Sequence, residues 1–443
     1  MIRHVTLQTH ATTANDAEPG TLARLRDATF SSLGTRNYRL YFIGQGISLC
    51  GTWMQTVAQS WLVWVMTHSG AMLGAVAALQ FLPVLLLAPY GGLLADRFSK
   101  RRILIFTQSA AAVQALALGT LYATGNLKLW MLFGIAFTLG TINSLDNPTR
   151  QSFVHELAGA KDIRNAVTLN SLEVNLSRVI GPAIAGLVIA RLGLGPCFIF
   201  NAASFAAVLV CLVLMRGSEL HRSARVPAAK GQLAEGFRYV LGTPVILVTL
   251  VMMAIVGTFT YEFQVTLTML AGATFRGTAA TYALLTSSMG VGAVLGGLAI
   301  AGRRRAAVGG LVTAALAFGA AMLLVALAPN LILAAIAMLL VGVCSIAFTS
   351  LTNTILQVES EPTMRGRVMS LWTMSFLGST LVGAPAVGWI GQQLNPRWAI
   401  GVGGAAAVLA GAIGLVAIRS ARAAAASVAP LDACPIAEKE DYV

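Results

Sequence analysis

Charge is scarce in this chain, and so are the residue spacings on which enzymes are built. Of its 443 residues only 11% are Asp, Glu, Lys or Arg, against 56% hydrophobic, which is too little polar surface to solvate a soluble protein of this length. No Gly-x-x-x-x-Gly-Lys-Ser/Thr loop is present to cradle nucleotide phosphates, so ATP is not the direct energy source. There is no HExxH, no Cys-x-x-Cys pair and no nucleophile elbow, so no catalytic residue is named. The histidines His4, His10, His68, His155 and His221 are scattered, and neither a metal site nor any cofactor is expected. Cys50, Cys197, Cys211, Cys344 and Cys434 follow no ligand or disulfide spacing and read as small packing residues.

What the chain does have is long apolar runs. Runs of about 20 residues, enough to cross a ~30 Å hydrocarbon core as helix, number about twelve. They lie near 38-66, 70-95, 103-124, 129-150, 165-190, 193-215, 244-269, 278-301, 306-327, 330-355, 368-392 and 397-418. The ~10-residue alternation of a transmembrane β-barrel is missing, so the fold class is an all-α integral membrane protein. The polar residues 1-36 hold no apolar h-region and are expected to be a tail rather than a signal peptide. Residues 419-443 form a second tail.

Basic residues set the orientation. Arg36, Arg39, Lys100, Arg101, Arg102, Lys161, Arg164, Arg222, Arg303, Arg304, Arg305, Arg365 and Arg367 fall in or beside the tails and alternate loops, whereas the opposite loops hold Lys128, Arg191, Arg276 and Arg397. The positive-inside rule then places both termini in the cytoplasm. The net charge of +13 follows from that bias, with lipid headgroups as counterparts. Nucleic-acid binding is not expected, because the charges are spread over separate loops.

The chain also repeats itself. Ser144-Leu145-Asp146-Asn147 with Gln151 recurs as Ser350-Leu351-Thr352-Asn353 with Gln357. Downstream, Gly181-Pro182-Ala183-Ile184-Ala185-Gly186 is echoed by Gly383-Ala384-Pro385-Ala386-Val387-Gly388. The shared order predicts two pseudo-symmetric six-helix bundles, 37-215 and 243-418, a parallel repeat of the kind transporters use. The polar linker 216-242 joins them. Within it Leu233, Phe237, Val240 and Leu241 follow helical spacing and predict an amphipathic helix on the membrane surface.

The strip Gly92-Leu-Leu-Ala-Asp96-Arg97-Phe-Ser-Lys100-Arg101-Arg102 resembles the loop 2-3 signature of the major facilitator superfamily, with Ser99 where that signature has glycine. Gly181-Pro182-x-x-x-Gly186 is similar to part of its span-five exporter signature. Arg39-Leu-Tyr-Phe-Ile-Gly-Gln45, Met66-Thr-His-Ser69, Asn147-Pro148-Thr149-Arg150-Gln151, Ala234-Glu-Gly-Phe-Arg-Tyr239 and Gly366-Arg367-Val-Met-Ser-Leu-Trp372 resemble the branch with enterobactin-type siderophore exporters and macrolide or multidrug efflux proteins. The resemblance implies a monomeric secondary transporter of a bacterial inner membrane. It would export a small amphipathic molecule, first a siderophore or related metabolite and alternatively a drug or macrolide, by exchange for protons. Proton-coupled nutrient import is the further alternative.

Candidate residues follow from both readings. The resemblance brings Asp96 and Arg97, with Gly92, Lys100 and Arg101, near the ends of spans four and eleven, where Asp146 would be the acidic partner of Arg97. Such charges can form a latch between the halves, or they can merely enforce topology. Inside the membrane, ionisable groups are costly and usually functional. Arg178, one turn before Gly181-Pro182, can attract an anionic substrate, pair with a carboxylate or serve helix packing; Glu173, five residues or about 500° away along the helix, points off its face. Glu262 can load and release a proton as its surroundings alternate, or reach outer water or bond a neighbouring hydroxyl. Gln55 and Gln59 share a helix face and could line the cavity beside Trp53. Trp61 and Trp64 read as interfacial anchors. Gly290, Gly292, Gly296 and Gly297 would permit close helix approach.

Overall fold

A computed structural model of the chain describes residues 31–221, 232–301 and 307–428. Twelve spans cross the bundle. In the first half they are α1 (Arg36–Thr67), α2 (Gly70–Arg97), α3 (Lys100–Ala123), α4 (Leu129–Gly159), α5 (Asp162–Leu192) and α6 (Gly195–Leu214). A short helix α7 (Gln232–Gly242) precedes the second half. There α8 (Pro244–Phe259) and α9 (Phe263–Met269) share one span, followed by α10 (Ala279–Ala301), α11 (Val308–Leu327) and α12 (Leu331–Glu359). The segments α13 (Arg365–Leu377) and α14 (Thr380–Gln393) share the next span, and α15 (Pro396–Val428) is the last. Arg222, Arg225, Pro227, Lys230 and Arg303 to Arg305 lie outside the described residues, as does most of both tails.

Eleven of these helices are long and apolar enough to cross a membrane. The exception is α1, whose 32 residues are long enough but carry Gln45, Gln55, Gln59 and Ser60, all buried. Its polar groups are turned into protein rather than lipid, which is why hydropathy alone undervalues it. The last helix continues past the expected end of the span to Val428, through Ala421 and Ala423 to Ala426, the residue type with the highest helix propensity.

Spans four and five meet at Gly159, whose φ of 65° and ψ of 177° belong to a region that essentially only glycine occupies. The start of α2 is fixed by Ser69, whose hydroxyl accepts the Met72 amide at 3.2 Å. Asn330 does the same for α12 through the Leu333 amide at 3.0 Å, and both satisfy amides that a helix start leaves without partners. In α7, Val240 is buried against Ile246, Leu250 and Val368, while Phe237 and Leu241 are exposed, the two faces an interfacial helix needs. The Leu233 side chain lies outside those described.

The repeated Gly/Pro segments lie at the two junctions between the halves. In α14, Gly388 packs on Gly70 and Ala384 on Gly74 of α2; in α5, Gly186 faces Ala283 of α10. One side of the molecule is zipped shut along the first junction. Ser69 donates to Gln392 Oε1 at 2.7 Å, the Ala71 amide donates to the same oxygen at 3.1 Å, and the zipper runs inward to Leu85 beside Gly378. Trp64 completes this closure by lying against Gly272, and Trp61 is buried. Trp64 therefore helps to seal the junction and Trp61 is turned into the protein, so neither sits as the interfacial anchor expected from its position in the sequence. Beyond Leu85, towards the end bearing Lys100 to Arg102, Tyr90 and Phe98 on α2 and Met374 on α13 are exposed.

Candidate functional site

The site begins at the middle of α5. Arg178 lies midway along this 31-residue span, where α10 crosses it closely. A Cβ on Gly290 would stand 2.8 Å from the Arg178 carbonyl, and Ser287 donates to the Val179 carbonyl at 3.2 Å. Gly181 presses α5 onto α1 in turn, since a Cβ there would meet the Cys50 carbonyl at 2.8 Å. With Pro182 unable to donate to the helix ladder, this stretch can bend while staying packed. The backbone of Arg178 is thus pinned between α1 and α10, and its side chain is held at the junction.

The guanidinium stacks over the Trp53 ring, 5.4 Å from its centroid, and its Nε has no hydrogen-bond partner among the described residues. No carboxylate pairs with it there. Tyr261, at the break between α8 and α9, interacts with it electrostatically from the other half. The Tyr261 hydroxyl donates to the Ser345 carbonyl at 2.7 Å. Its ring is the hub of an aromatic group with Phe263, Phe318 and Phe376 at centroid distances of 5.9, 5.4 and 5.3 Å, and Trp372 stacks on Phe376 at 5.7 Å. A partly unsatisfied cation and an indole on one wall thus stand near a phenol and several rings on the other. Such a set suits an anionic molecule with apolar or aromatic parts.

Glu262 occupies the same break, at φ −80° and ψ 43°, and is only 3% exposed. It does not reach water. Its Oε1 is unpartnered and faces Gly383 of α14, where a Cβ would stand 3.1 Å away. Its backbone carbonyl accepts the Val265 and Thr266 amides and starts α9.

Gln55 is turned away from the junction. Its amide donates to Gln114 of α3 at 3.3 Å and its oxygen accepts from Asn201 of α6 at 2.7 Å, so it ties three helices of the first half together rather than lining a cavity. Gln59, one turn on, is buried with Nε2 unpartnered.

The charged strip divides into two groups. Lys100 forms a buried pair with Glu156 at 2.6 Å, and Arg101 caps the end of α6 by donating to the Leu212 and Val213 carbonyls at 2.7 and 2.9 Å. Both bind the first half to itself. Arg97 is exposed, Gly92 has open space around it, and the close approach to α4 is made by Gly91 against the Ser144 carbonyl. The Asp96 side chain lies outside those described. Asp146 does not meet Arg97. Thr107 and Gln108 donate to its Oδ1 at 2.6 and 2.9 Å, and Arg150 approaches it to 3.9 Å.

Sequence reasoning passed over Glu173, which it weighed only as a partner for Arg178. The side chain is 5% exposed and neither carboxylate oxygen has a partner among the described residues. An acid inside a span was the available signal. Among the described residues no cluster of three or more His, Cys, Asp or Glu could hold a metal.

Comparison with known proteins sharpens the picture. The profile of the family described as transmembrane secretion effector matches residues 27–441. The staphyloferrin A transporter of Staphylococcus aureus is 29% identical over 178 residues, 40% of this chain and 45% of that one. The enterobactin exporter EntS of Shigella boydii is 25% identical over 361 residues, 81% of this chain and 86% of that one. The stretches matched in the staphyloferrin A transporter and in YfiS, an uncharacterised transporter of Bacillus subtilis, span about half of those proteins. Among solved structures, a POT family transporter superimposes with a TM-score of 0.70 at 13% identity, covering 87% of this chain and 96% of its own. The nucleoside transporter NupG does so at 0.69 and 10% identity, covering 86% and 99%.

Proposed function

Because the chain belongs to the major facilitator superfamily, within its transmembrane secretion effector family, we propose that it exports a small amphipathic anion, first a siderophore-type chelator. It is a transporter and not an enzyme. The end bearing Lys100 to Arg102 faces the cytoplasm of a bacterial inner membrane. The two halves, 37-215 and 243-418, rock about the junction while the linker 216-242 keeps them in register. Cargo enters from the cytoplasm or the inner leaflet, and its anionic group docks on Arg178 while its rings lie against Trp53 and the Tyr261 group. Protons are the counter-ion, and a monomer suffices.

The observation that carries this reading is the Arg178 guanidinium, midway along its span, stacked on an indole and lacking a carboxylate partner among the described residues. A cation in a span is retained where it meets an opposite charge, and here the cargo supplies it. The closed zipper at Ser69 and Gln392 supports a state accessible from the basic end. In the opposite state Arg97 and Asp96 would latch that end shut, so Asp96→Asn is expected to abolish export from a folded, inserted protein.

The test is mass spectrometry of medium and cell extracts from a deletion strain and its complemented parent, grown with and without iron. A chelator missing from the mutant's medium and retained in its cells is the expected result. Identical profiles would overturn the siderophore assignment and favour drug or macrolide efflux.

A further inference from the structure

The first half contains a second buried ionisable group that the substrate site does not use. Glu173 lies on α5, upstream of Arg178, against Gly46 of α1, where a Cβ would stand 3.0 Å from its Oε1. Both of its oxygens are buried without partners. Five residues turn a helix by about 500°, so its carboxyl does not share the Arg178 face. The groups within electrostatic reach of the pocket are Tyr38, Tyr41 and Cys50 from α1 and Arg150 and Asp146 from α4. The continuous α4–α5 stretch also packs on α2 and α3, whose charged residues Asp96, Arg97, Lys100, Arg101 and Arg102 sit at the basic end, and on α6 and α10, which carry none.

Two features make this pocket more than a packing accident. The Tyr41 hydroxyl, within electrostatic reach of Glu173, is also buried and also unpartnered, so this half leaves a donor and an acceptor unsatisfied in a protein interior where such groups are nearly always paired. Among the described residues Arg150 is the cation that acts on Glu173, and it is loosely held. It donates to Asn147 at 2.9 Å, stands 3.9 Å from Asp146, and keeps 24% of its side chain exposed. Asp146 already has Thr107 and Gln108 as donors and does not depend on Arg150. The guanidinium is therefore not committed to Asp146. Burying an unpaired carboxylate is costly unless a proton or a cation neutralises it. Glu262, by contrast, has the Thr380 hydroxyl as a hydrogen-bond donor and no charged group acting on it among the described residues.

We propose that Glu173, set between α1 and α5 with Tyr41 and Arg150 beside it, binds and releases the proton of the transport cycle. In the state described here the carboxyl holds the proton and Arg150 rests on Asn147 and Asp146. Release leaves a carboxylate that draws Arg150 across from α4, through a pocket that Arg150 itself connects to water at the basic end. Because α5 also carries Arg178, one helix senses both the proton and the anionic cargo. This gives an antiporter a direct way to make occupancy of one site oppose occupancy of the other. The assignment rests on the proton-coupled reading above.

The test needs no cargo. In a background with its native cysteines replaced, spin labels at Ser99 and Val358, both exposed at the basic end, report the opening of the purified, membrane-reconstituted protein by pulsed electron resonance. The distance distribution of the otherwise unaltered protein is expected to differ between mildly acidic and mildly alkaline pH. Glu173→Gln, isosteric and permanently neutral, is expected to hold the acidic distribution at both, and Glu173→Asp to retain a response. Glu262→Gln should respond as its parent does. A Glu173→Gln protein with the parent's full pH response overturns the assignment while leaving proton coupling standing. A parent indifferent to pH overturns both.

Discussion

Arg178 and Lys100 are both cations in or at the edge of the membrane, yet they serve opposite ends. The Lys100 side chain is 9% exposed and spends its charge on Glu156, so removing it strands a buried carboxylate. Lys100→Ala is expected to destabilise the first half by about 3–5 kcal/mol, read as a lowered unfolding temperature in detergent, whereas Lys100→Met with Glu156→Leu should recover most of that loss. Arg178 has no such partner, and its substitution should harm transport without harming the fold. Arg178→Ala is expected to slow cargo export about tenfold or more, the scale of one charge-assisted contact, with an unchanged unfolding temperature. Arg178→Lys should recover only part of it, because an ammonium lacks the planar stack on Trp53. Export at the parental rate by Arg178→Ala would remove the anion from the account. Both residues were legible in the sequence, Arg178 as a charge inside a span and Lys100 as part of the basic loop strip, but the difference in their partners was not. Which charge has a partner depends on residues far apart in the chain, such as Lys100 and Glu156.

At the scale of elements, nearly every span was legible as an apolar run, whereas the repeated Gly/Pro segments were read only as a sign of two related halves and not as the junctions on which those halves meet. What stayed hidden was the use of polar residues inside spans. Gln55 reads as a cavity residue from its helix face, yet Asn201 and Gln114 claim both ends of its amide, and no periodicity records which neighbouring helix will lie on that face. The breaks at Thr260 to Glu262 and at Gly378 were equally silent, since the runs 244-269 and 368-392 each read as one continuous span. One short element is decisive for the fold, the left-handed turn at Gly159 between α4 and α5. Gly159→Ala is expected to cost about 1–3 kcal/mol in stability, measurable by thermal unfolding, with the Gly125→Ala substitution in the exposed turn after α3, φ 69°, as a comparison outside the bundle.

For the whole molecule the account is one of two halves zipped at one end and free at the other. The zipper along α2 and α14 depends on glycines. Gly74 lies against the Ala384 carbonyl with no room for a side chain, so Gly74→Val is expected to part the halves there. Labels at Asn126 and Gln393, exposed on that end, should report a longer distance than in the parent. An unchanged distance would mean that the closure does not rest on this contact. The central claim, that this protein couples the outward movement of an amphipathic anion to the proton gradient, is tested most directly in everted membrane vesicles given the compound that the deletion strain retains. The account predicts uptake against a concentration gradient when the vesicle interior is acidic, collapse of that uptake on adding a protonophore, and its loss in Arg178→Ala. Uptake that ignores the pH gradient, or none in vesicles rich in the folded protein, would contradict it.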